Sequence, residues 1–333
     1  MNWSNGFSAS YYAAVVDPKT WRDIERIEIT GGHITRSGTD LRESADIDCA
    51  KYPSDRELWL RIYLNATQGA ISEHEALFTG LACSPSTNIE GVRLSYPVEC
   101  YSVLKPAQDV LLQRGWYAPA ATNGARLVQD LLSVTPAPVI IEDGSPALQQ
   151  AIVAESGETR LTMSEKILTA IGWRLKIAGD GTINICRKSQ NAVAVFDALS
   201  NDIIEPKITL QRDWYDCPNV FRAVQDELSA IARDDDEDSF LSTVNRGREI
   251  WMEETSCVLN DGETIASYAM RRLKEEQSFA VSLSYDRRYQ PNIHVSDSVH
   301  VKHPRQGIND IFTITSQSIN LTHGARVTEK VSK

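Results

Sequence analysis

One short stretch, residues 58–65, alternates strictly between two sets of side chains. The sets are Leu58, Leu60, Ile62 and Leu64 on one parity, and Trp59, Arg61, Tyr63 and Asn65 on the other. A period of two residues places each set on its own face of a β-strand. The stretch therefore predicts a strand that buries one face in a core.

The rest of the first hundred residues repeats this alternation. Residues 92–100 and 45–49 both place apolar side chains at every second position, and Ile27 and Ile29 precede a predicted turn at Gly31-Gly32. Short alternating runs separated by glycine-rich turns are typical of antiparallel sheets. A small β-barrel or sandwich is the expected fold of this part.

The middle of the chain changes to helical spacing. Pro106 can begin one helix, and Asn123 is a candidate N-cap for a second helix that ends before Pro136. The string Thr162-Met163-Ser164-Glu165 matches a capping box and predicts a third helix that stops at Gly172. A β-hairpin is predicted next, with its turn at Gly179-Asp180-Gly181.

From about residue 200 the β pattern returns, interrupted by one helix that Asp261 would cap. Further alternating strands are predicted from Phe279 onwards, including the pairs Phe312/Ile314 and Ile319/Leu321. The fold class expected is α+β, mainly β. The predicted domains are residues 1–105, an α+β insertion over 106–190, and residues 191–333, with part of 191–230 able to complete the first domain.

Composition limits the possible functions. The 333 residues are 42% hydrophobic and 24% charged, and no stretch approaches the ~20 apolar residues that span a bilayer. Neither export nor membrane insertion is indicated, and the six scattered cysteines are expected to be reduced. A net charge of -11 disfavours sequence-specific DNA binding but suits a passage through which DNA slides without sticking.

Motifs for catalysis or metal binding are missing. The sequence has no Gly-x-Ser-x-Gly, His-Glu-x-x-His, Walker or Gly-x-Gly-x-x-Gly motif. His294, His300 and His303 lie within ten residues, but no neighbouring Cys or paired carboxylate completes a zinc site. They are interpreted as strand and turn residues, and no metal or cofactor is predicted.

An acidic run occupies five consecutive positions, Asp234, Asp235, Asp236, Glu237 and Asp238. Its spacing partly resembles a calcium loop, but it lacks the loop glycine, and Asn245 stands where the bidentate Glu would be. A solvated acidic loop is the preferred interpretation. If the protein surrounds a DNA passage, this loop is a candidate repelling charge, and its neutralisation is expected to alter DNA transit rather than folding.

Several strings, in this order, resemble the hub proteins of bacteriophage tail tips, which include the central hub of contractile-tailed phages. No string is diagnostic alone, and their order and spacing carry the resemblance. They are residues 78–80, 99–105 and 157–161, followed by Trp214-Tyr215-Asp216-Cys217-Pro218-Asn219-Val220, Asn245-Arg246-Gly247-Arg248, Tyr268-Ala269 and residues 295–301.

The resemblance implies two antiparallel β-barrels of the tail-tube type joined by the α+β insertion, in a chain that forms a ring-shaped trimer. Such a ring would adapt a sixfold tail tube to a threefold tip, line the DNA passage and have no catalytic residues. The expected partners are two further copies, a tube or distal tail protein, and a separate spike, fibre or lytic protein, because only a short polar tail follows Gly324. The expected location is the virion tail, assembled in the host cytoplasm.

Two alternatives remain open. One is a receptor- or carbohydrate-binding tail protein in which Trp3, Tyr11 and Tyr12 contact sugar. The other is a cell-wall hydrolase that uses Glu155 and Glu158 as an acid/base pair, supported only by their proximity in sequence.

Overall fold

The computed structural model describes residues 1–53, 56–91, 93–189, 191–200, 204–212, 214–225, 227–255, 257, 259, 262–278 and 281–333. The described part of its first hundred residues contains seven strands, where the alternation predicts an array of short antiparallel strands. They are β1 (Ser8–Asp17), β2 (Arg22–Ser37), β3 (Glu43–Cys49), β4 (Leu58–Gln68), β5 (Ile71–Pro85), β6 (Asn88–Glu90) and β7 (Arg93–Ser102).

Six of these strands pair in a closed circuit, which we call the strand ring. The order is β1-β4-β5-β7-β3-β2, and β2 pairs back onto β1. Every pair in it is antiparallel. Leu60, Ile62 and Leu64 of β4 are fully buried in its core, so the strand predicted over residues 58–65 is confirmed.

The predicted turn at Gly31-Gly32 was wrong, because β2 runs through both glycines. The pairing of β2 with β3 is irregular between Ile29 and Gly31, which marks a bulge. Gly32 has a φ of 139°, and a Cβ there would lie 2.3 Å from the Asp46 carbonyl oxygen. The glycines therefore permit a close approach of two strands within the sheet rather than a chain reversal.

Residues 105–187, which we call the middle segment, contain three helices and five strands. They are α1 (Lys105–Asp109), β8 (Tyr117–Ala118), α2 (Gly124–Leu131), β9 (Val139–Ile141), β10 (Ile152–Val153), α3 (Arg160–Ala170), β11 (Trp173–Ile177) and β12 (Ile183–Arg187), with a 3₁₀ turn at Leu132–Val134.

The helix starts in the middle segment test the capping predictions. The Asn123 side chain accepts a hydrogen bond from the Arg126 N–H, which confirms the N-cap of α2. The capping box of α3 lies three residues earlier than predicted: Thr159 is the cap and Thr162 its reciprocal partner. Gly172 ends α3 with a φ of 67°, as predicted.

The remaining chain contains nine strands and two helices within the described residues. They are β13 (Ala192–Asp197), β14 (Ile204–Arg212), β15 (Val220–Gln225), β16 (Leu228–Arg233), α4 (Thr243–Arg246), β17 (Trp251–Thr255), α5 (Ile265–Ser278), β18 (Val281–Arg288), β19 (Ser298–His303), β20 (Ile308–Asn320) and β21 (Arg326–Ser332), with a 3₁₀ turn at Pro304–Gln306.

Six of these strands form a second row in the order β13-β19-β20-β21-β18-β14, which β2 joins to the strand ring through β20. The predicted apolar pairs are buried: Phe312, Ile314 and Ile319 lie on β20, and Leu321 follows it directly. An irregularity between Ile314 and Ser316 shifts its inward parity. A third group, the small unit, consists of β16-β15-β17 packed on α5.

The structure is therefore mainly β with some helix, and most strand pairs are antiparallel. Among the strands that the structure describes, three pairs are parallel: β13 with β19, β9 with β12, and β15 with β17. The domain boundaries and the description of the two strand groups as tube-like barrels stay predictions. Asp261 and Phe279, which the sequence analysis used, lie outside the described residues.

Four of the six cysteines are buried, namely Cys49, Cys100, Cys217 and Cys257. None of the helices in the described part of the chain is long and apolar enough to cross a lipid bilayer.

Candidate functional site

The hairpin between β11 and β12 fixes the middle segment to the strand ring. Its turn packs so closely on β5 that a Cβ on Gly179 would lie 1.7 Å from the Ala76 carbonyl oxygen. The Gly179 carbonyl accepts a hydrogen bond from Thr79 Oγ1 at 2.8 Å. The Asp180 carbonyl accepts hydrogen bonds from Trp21 Nε1 at 2.9 Å and Arg61 Nη2 at 3.0 Å. The predicted turn is therefore also an anchor.

Asp297, in the loop before β19, joins the middle segment to the second row. This carboxylate is 2% exposed. It accepts hydrogen bonds from Arg174 Nη2 at 3.0 Å and from Lys176 Nζ at 3.1 Å, both on β11. One buried carboxylate with two cationic partners gives a charge-assisted contact between two parts of the chain.

A buried ionic network lies where the strand ring meets the second row. Arg287 Nη2 on β18 contacts Glu329 Oε1 on β21 at 2.5 Å, and Gln317 Nε2 donates to the same oxygen at 2.7 Å. Arg36 Nη1 on β2 donates to Gln317 Oε1 at 3.4 Å. Arg36 Nε also lies 3.7 Å from Glu43 Oε2. Polar side chains thus cross the junction beside the apolar core that Ile319 and Val327 share with the strand ring.

Glu43 gives this network a pH dependence. Burial raises the pKa of its carboxyl from 4.5 to about 8, and the charge of Arg36 offsets only part of that shift. Between these two pH values the folded protein holds a proton that the unfolded chain releases. The free energy of unfolding is therefore expected to fall with rising pH across that interval, by up to about 1.4 kcal/mol per pH unit.

We expect Glu43→Gln, which mimics the protonated acid, to remove this fall and to make the protein more stable than the parent at pH 8. Urea unfolding at pH 5 and pH 8 measures the difference. Glu28→Gln, at an exposed position on β2, is the matched control. A parent protein that gains stability relative to Glu43→Gln between pH 5 and pH 8 contradicts the assignment.

The acidic loop, Asp234–Asp238, connects β16 to α4 in the small unit and is mostly exposed. Asp234 Oδ2 accepts hydrogen bonds from Ser239 Oγ at 2.7 Å and Gln277 Nε2 at 2.9 Å. A hydrogen bond from Thr243 and the charge of Arg233 lower the pKa of Asp235. Asp236, Glu237 and Asp238 form no ion pair with any residue that the structure describes. The loop is held in place while three of its charges face solvent.

Exposed apolar side chains lie beside this loop. Trp214, Tyr215, Phe240 and Val244 are 46%, 76%, 53% and 56% exposed, and we call them the aromatic surface. The Trp214 and Phe240 rings lie 5.6 Å apart, centroid to centroid. Cys217 and Leu241, from the same two chain segments, form a small buried cluster.

Hydrogen bonds from two arginines and an asparagine fix the backbone under the aromatic surface. Arg246 donates to the Cys217 carbonyl at 2.7 Å and to the Trp214 carbonyl. Arg248 Nη2 donates to the Tyr215 carbonyl at 3.3 Å. Asn219 is fully buried; its amide donates to the Leu241 and Arg248 carbonyls and accepts from the Ile250 N–H. Residues 214–220 and 245–248, two of the strings that carry the resemblance, are thus joined to each other by hydrogen bonds.

The three histidines are not brought together as a ligand set. His294 precedes β19, and burial together with Arg36, Lys176, Arg174 and Arg287 lowers its pKa well below the usual range. His300 shares a hydrogen bond with Asn309 Oδ1 at 2.9 Å. Within the described ranges no three His, Cys, Asp or Glu side chains are grouped so that they could hold a metal ion.

The carboxylates of Glu155 and Glu158 are both bridged by Lys166, at 3.5 Å and 2.9 Å. Burial alone would lower the pKa of Lys166, but these two carboxylates outweigh it and raise the pKa. The Glu158 carboxylate also accepts the Glu155 N–H at 2.9 Å. These contacts stabilise the turn before α3. The two carboxylates share one lysine and do not face each other across a cleft, as an acid/base pair would.

The aromatic rings of the carbohydrate-binding alternative point in different directions, although Tyr11 and Tyr12 border the same groove. Trp3 packs edge-on against Phe7 and Tyr289 at 5.3 and 5.7 Å. Tyr11 points to the core of the strand ring and donates to the Thr322 carbonyl. Tyr12 points away from that core and stacks on Tyr63. Two of the three side chains therefore serve packing.

The whole fold is similar to solved structures of phage tail proteins. The 43 kDa tail protein of prophage MuSo2 from Shewanella oneidensis matches with a TM-score of 0.70 and 15% identity over 98% of each chain. The tail protein of Neisseria meningitidis MC58 matches with a TM-score of 0.68 and 13% identity, over 98% of this chain and 96% of the other. This chain has the fold of bacteriophage tail proteins.

A third similar structure is an E. coli component of the type VI secretion system, described as similar to the phage T4 tail proteins gp27 and gp5. It matches with a TM-score of 0.52 and 9% identity over 92% of this chain and 73% of the other. No family model and no curated protein matches the chain. The resemblance drawn from the sequence is thus confirmed at the level of fold.

Proposed function

We propose that the chain is a non-enzymatic structural hub of a phage-type tail, which assembles as a trimeric ring between a sixfold tube and a threefold tip and surrounds the DNA passage. The observation that carries the proposal is the match to phage tail proteins over nearly the full length of both chains. A structural role also accords with the paired carboxylates and separated histidines described above.

The arrangement of the strands supports assembly into a ring. Two strand groups, the ring and the second row, supply two β surfaces per chain, so three chains supply six around a threefold axis. At the ends of the second row, β13 and β14 each pair with a single strand of the described set. Cyclic assembly would cover such edges, which otherwise promote uncontrolled pairing.

The remaining assignments belong to the same proposal. The partners are a tube or distal tail protein on one side and a separate spike, fibre or lytic protein on the other, in a virion assembled in the host cytoplasm. The two strand groups correspond to tube-like barrels within residues 1–105 and 191–333, and the insertion covers 106–190. That the acidic loop repels passing DNA stays a prediction.

The mass of the particle in solution tests the hub. We expect light scattering to give three times the 37.1 kDa chain mass, and projection images to show threefold rings. Because charge on a strand edge blocks pairing, Val195→Asp on β13, where Val195 is 50% exposed, is expected to shift trimers toward monomers.

The matched control is Ile140→Asp on β9, because Ile140 is 55% exposed in the middle segment. It is expected to leave the trimer intact. A parent chain that stays monomeric, also when mixed with tail-tube protein, contradicts the proposed hub.

A further inference from the structure

We infer that the aromatic surface is a docking site for a basic segment of another tail protein. The inference rests on the proposed function in one respect, that the chain is built into a tail. It goes beyond that function because it names the surface and the chemistry of the partner.

The size and composition of the aromatic surface favour protein contact. Four large side chains from two chain segments, around Trp214 and around Phe240, are about half exposed or more. Tryptophan, tyrosine and phenylalanine are enriched in the centres of protein interfaces, where they supply most of the binding energy. A group of such residues on the outside of a soluble domain marks an interaction site rather than ordinary surface.

The backbone that presents these side chains is preorganised. Arg246 holds the Trp214 and Cys217 carbonyls, Arg248 holds the Tyr215 carbonyl, and the buried Asn219 ties both segments together. A rigid surface loses little conformational entropy on binding, so more of the contact energy appears as affinity.

The charge beside the aromatic surface selects the partner. Arg246 and Arg248 donate to neutral carbonyl groups and keep their positive charge, whereas Arg233 is bridged to Asp235 and Glu249 at 3.3 and 2.8 Å. The solvent-facing charges left on the acidic loop are those of Asp236, Glu237 and Asp238. Lysine or arginine side chains complement this rim, and an indole face also attracts cations.

The same charge disfavours two other occupants. Nucleic acid would bring phosphates against the acidic loop, whose five carboxylates outnumber the three neighbouring cations Arg233, Arg246 and Arg248. A second copy in a two-fold contact would place one acidic loop against another, because an isologous interface uses the same patch on both sides. A different protein with a basic surface satisfies both the apolar and the charged parts.

Hydroxyl-radical footprinting of the full-length chain tests the inference. Oxidation of Trp214, Tyr215 and Phe240 is compared between the isolated chain in its own oligomer and the chain in assembled tails. We expect at least fivefold slower oxidation in the tail only, with Tyr117, 58% exposed in the middle segment, as an internal reference. Equal oxidation in both samples overturns the inference, and protection already present in the isolated oligomer assigns the surface to a second copy instead.

A peptide titration tests the chemistry of the partner. The probe is a labelled peptide of alternating arginine and leucine, with an otherwise identical glutamate–leucine peptide as its control. We expect Tyr215→Ala and Phe240→Ala each to weaken binding of the basic peptide at least tenfold, and Ile24→Ala, at an exposed β2 position, less than twofold. Tyr215 is the safest site for folding because it is the most exposed.

The triple variant Asp236→Asn, Glu237→Gln, Asp238→Asn separates this role from DNA repulsion. We expect it to abolish the salt dependence of peptide binding, whether or not DNA transit through assembled tails changes. Altered DNA transit with unchanged peptide affinity would overturn the inference in favour of a loop that faces DNA. If the chain forms trimers that enter tails normally, but the aromatic variants bind the peptide as tightly as the parent does, the docking site is contradicted. The proposed hub function is then unaffected.

Discussion

Glu329→Gln is expected to lower the free energy of unfolding by about 3–5 kcal/mol, because it leaves Arg287 as an uncompensated buried charge. The two side chains are 1% and 0% exposed and are joined at 2.5 Å. Glutamine keeps the shape of the residue, so a cavity cannot account for the loss. Urea denaturation at neutral pH measures it.

A surface pair provides the control. Arg222 and Glu253 are joined at 2.8 Å but are 43% and 48% exposed, so Glu253→Gln is expected to lose less than about 1 kcal/mol. Replacing both buried partners, as Arg287→Met with Glu329→Leu, should recover most of the lost stability because no charge is then left unpaired. Equal losses for Glu329→Gln and Glu253→Gln would falsify the role given to the buried pair.

This buried pair also shows what alternation alone misses. Val327, Glu329 and Val331 share the inward parity of β21, and Arg287 shares that of Leu283 and Tyr285 on β18. Alternation in the sequence shows which positions of a strand face the core. A charged residue at such a position on each of two strands was therefore a signal for a buried ion pair. The partner could not be named, because strand register is a tertiary property.

The sequence predicted correctly those features that depend only on residues close together in the chain. The strand at residues 58–65, the Asn123 cap and the Gly172 stop depend on neighbours within four residues. The bulge at Gly31-Gly32 was mistaken for a turn because glycine permits both conformations, and only the partner strand, through Asp46, distinguishes them.

The aromatic surface lay beyond such signals. Residues 214–220 and 245–248 are separate in sequence, and each contains only ordinary strand and turn residues. Their relation appears once Arg246 and Arg248 are seen to hold the backbone of the first string. Arginine beside glycine indicates no partner by itself, because its long side chain reaches whatever the fold places nearby.

Gly179→Ala is expected to destabilise the protein by about 3 kcal/mol, at the upper end for overpacking. A Cβ at this position would lie 1.7 Å from the carbonyl oxygen and 2.5 Å from the carbonyl carbon of Ala76. Both contacts are with backbone, so no rotation of a side chain can relieve them. The hairpin turn must then move away from β5, which breaks the hydrogen bond from Thr79 to the Gly179 carbonyl.

Two control variants separate the clash with Ala76 from the general effect of replacing glycine and from the loss of the Thr79 hydrogen bond. Gly324→Ala, where a Cβ meets nothing within 4 Å, should change the free energy of unfolding by less than about 0.5 kcal/mol. Thr79→Val keeps the shape and removes two hydrogen bonds of the Thr79 hydroxyl, the one it donates to the Gly179 carbonyl and the one it accepts from Arg61 Nε, so its loss should be about 1–3 kcal/mol. A Gly179→Ala variant as stable as Gly324→Ala would show that the turn does not pack on β5.

Hydrogen exchange in Gly179→Ala then decides how the middle segment is coupled to the strand ring. If the anchor matters only locally, amides of β11 and β12 should exchange faster while those of β4 keep their protection. Arg61 on β4 donates to the Asp180 carbonyl of the turn. If it transmits the movement of the turn to β4, the amides of β4 should lose protection as well as those of β11 and β12. The second result would make the anchored hairpin a structural part of the strand ring, since the ring could not then keep its geometry without the middle segment.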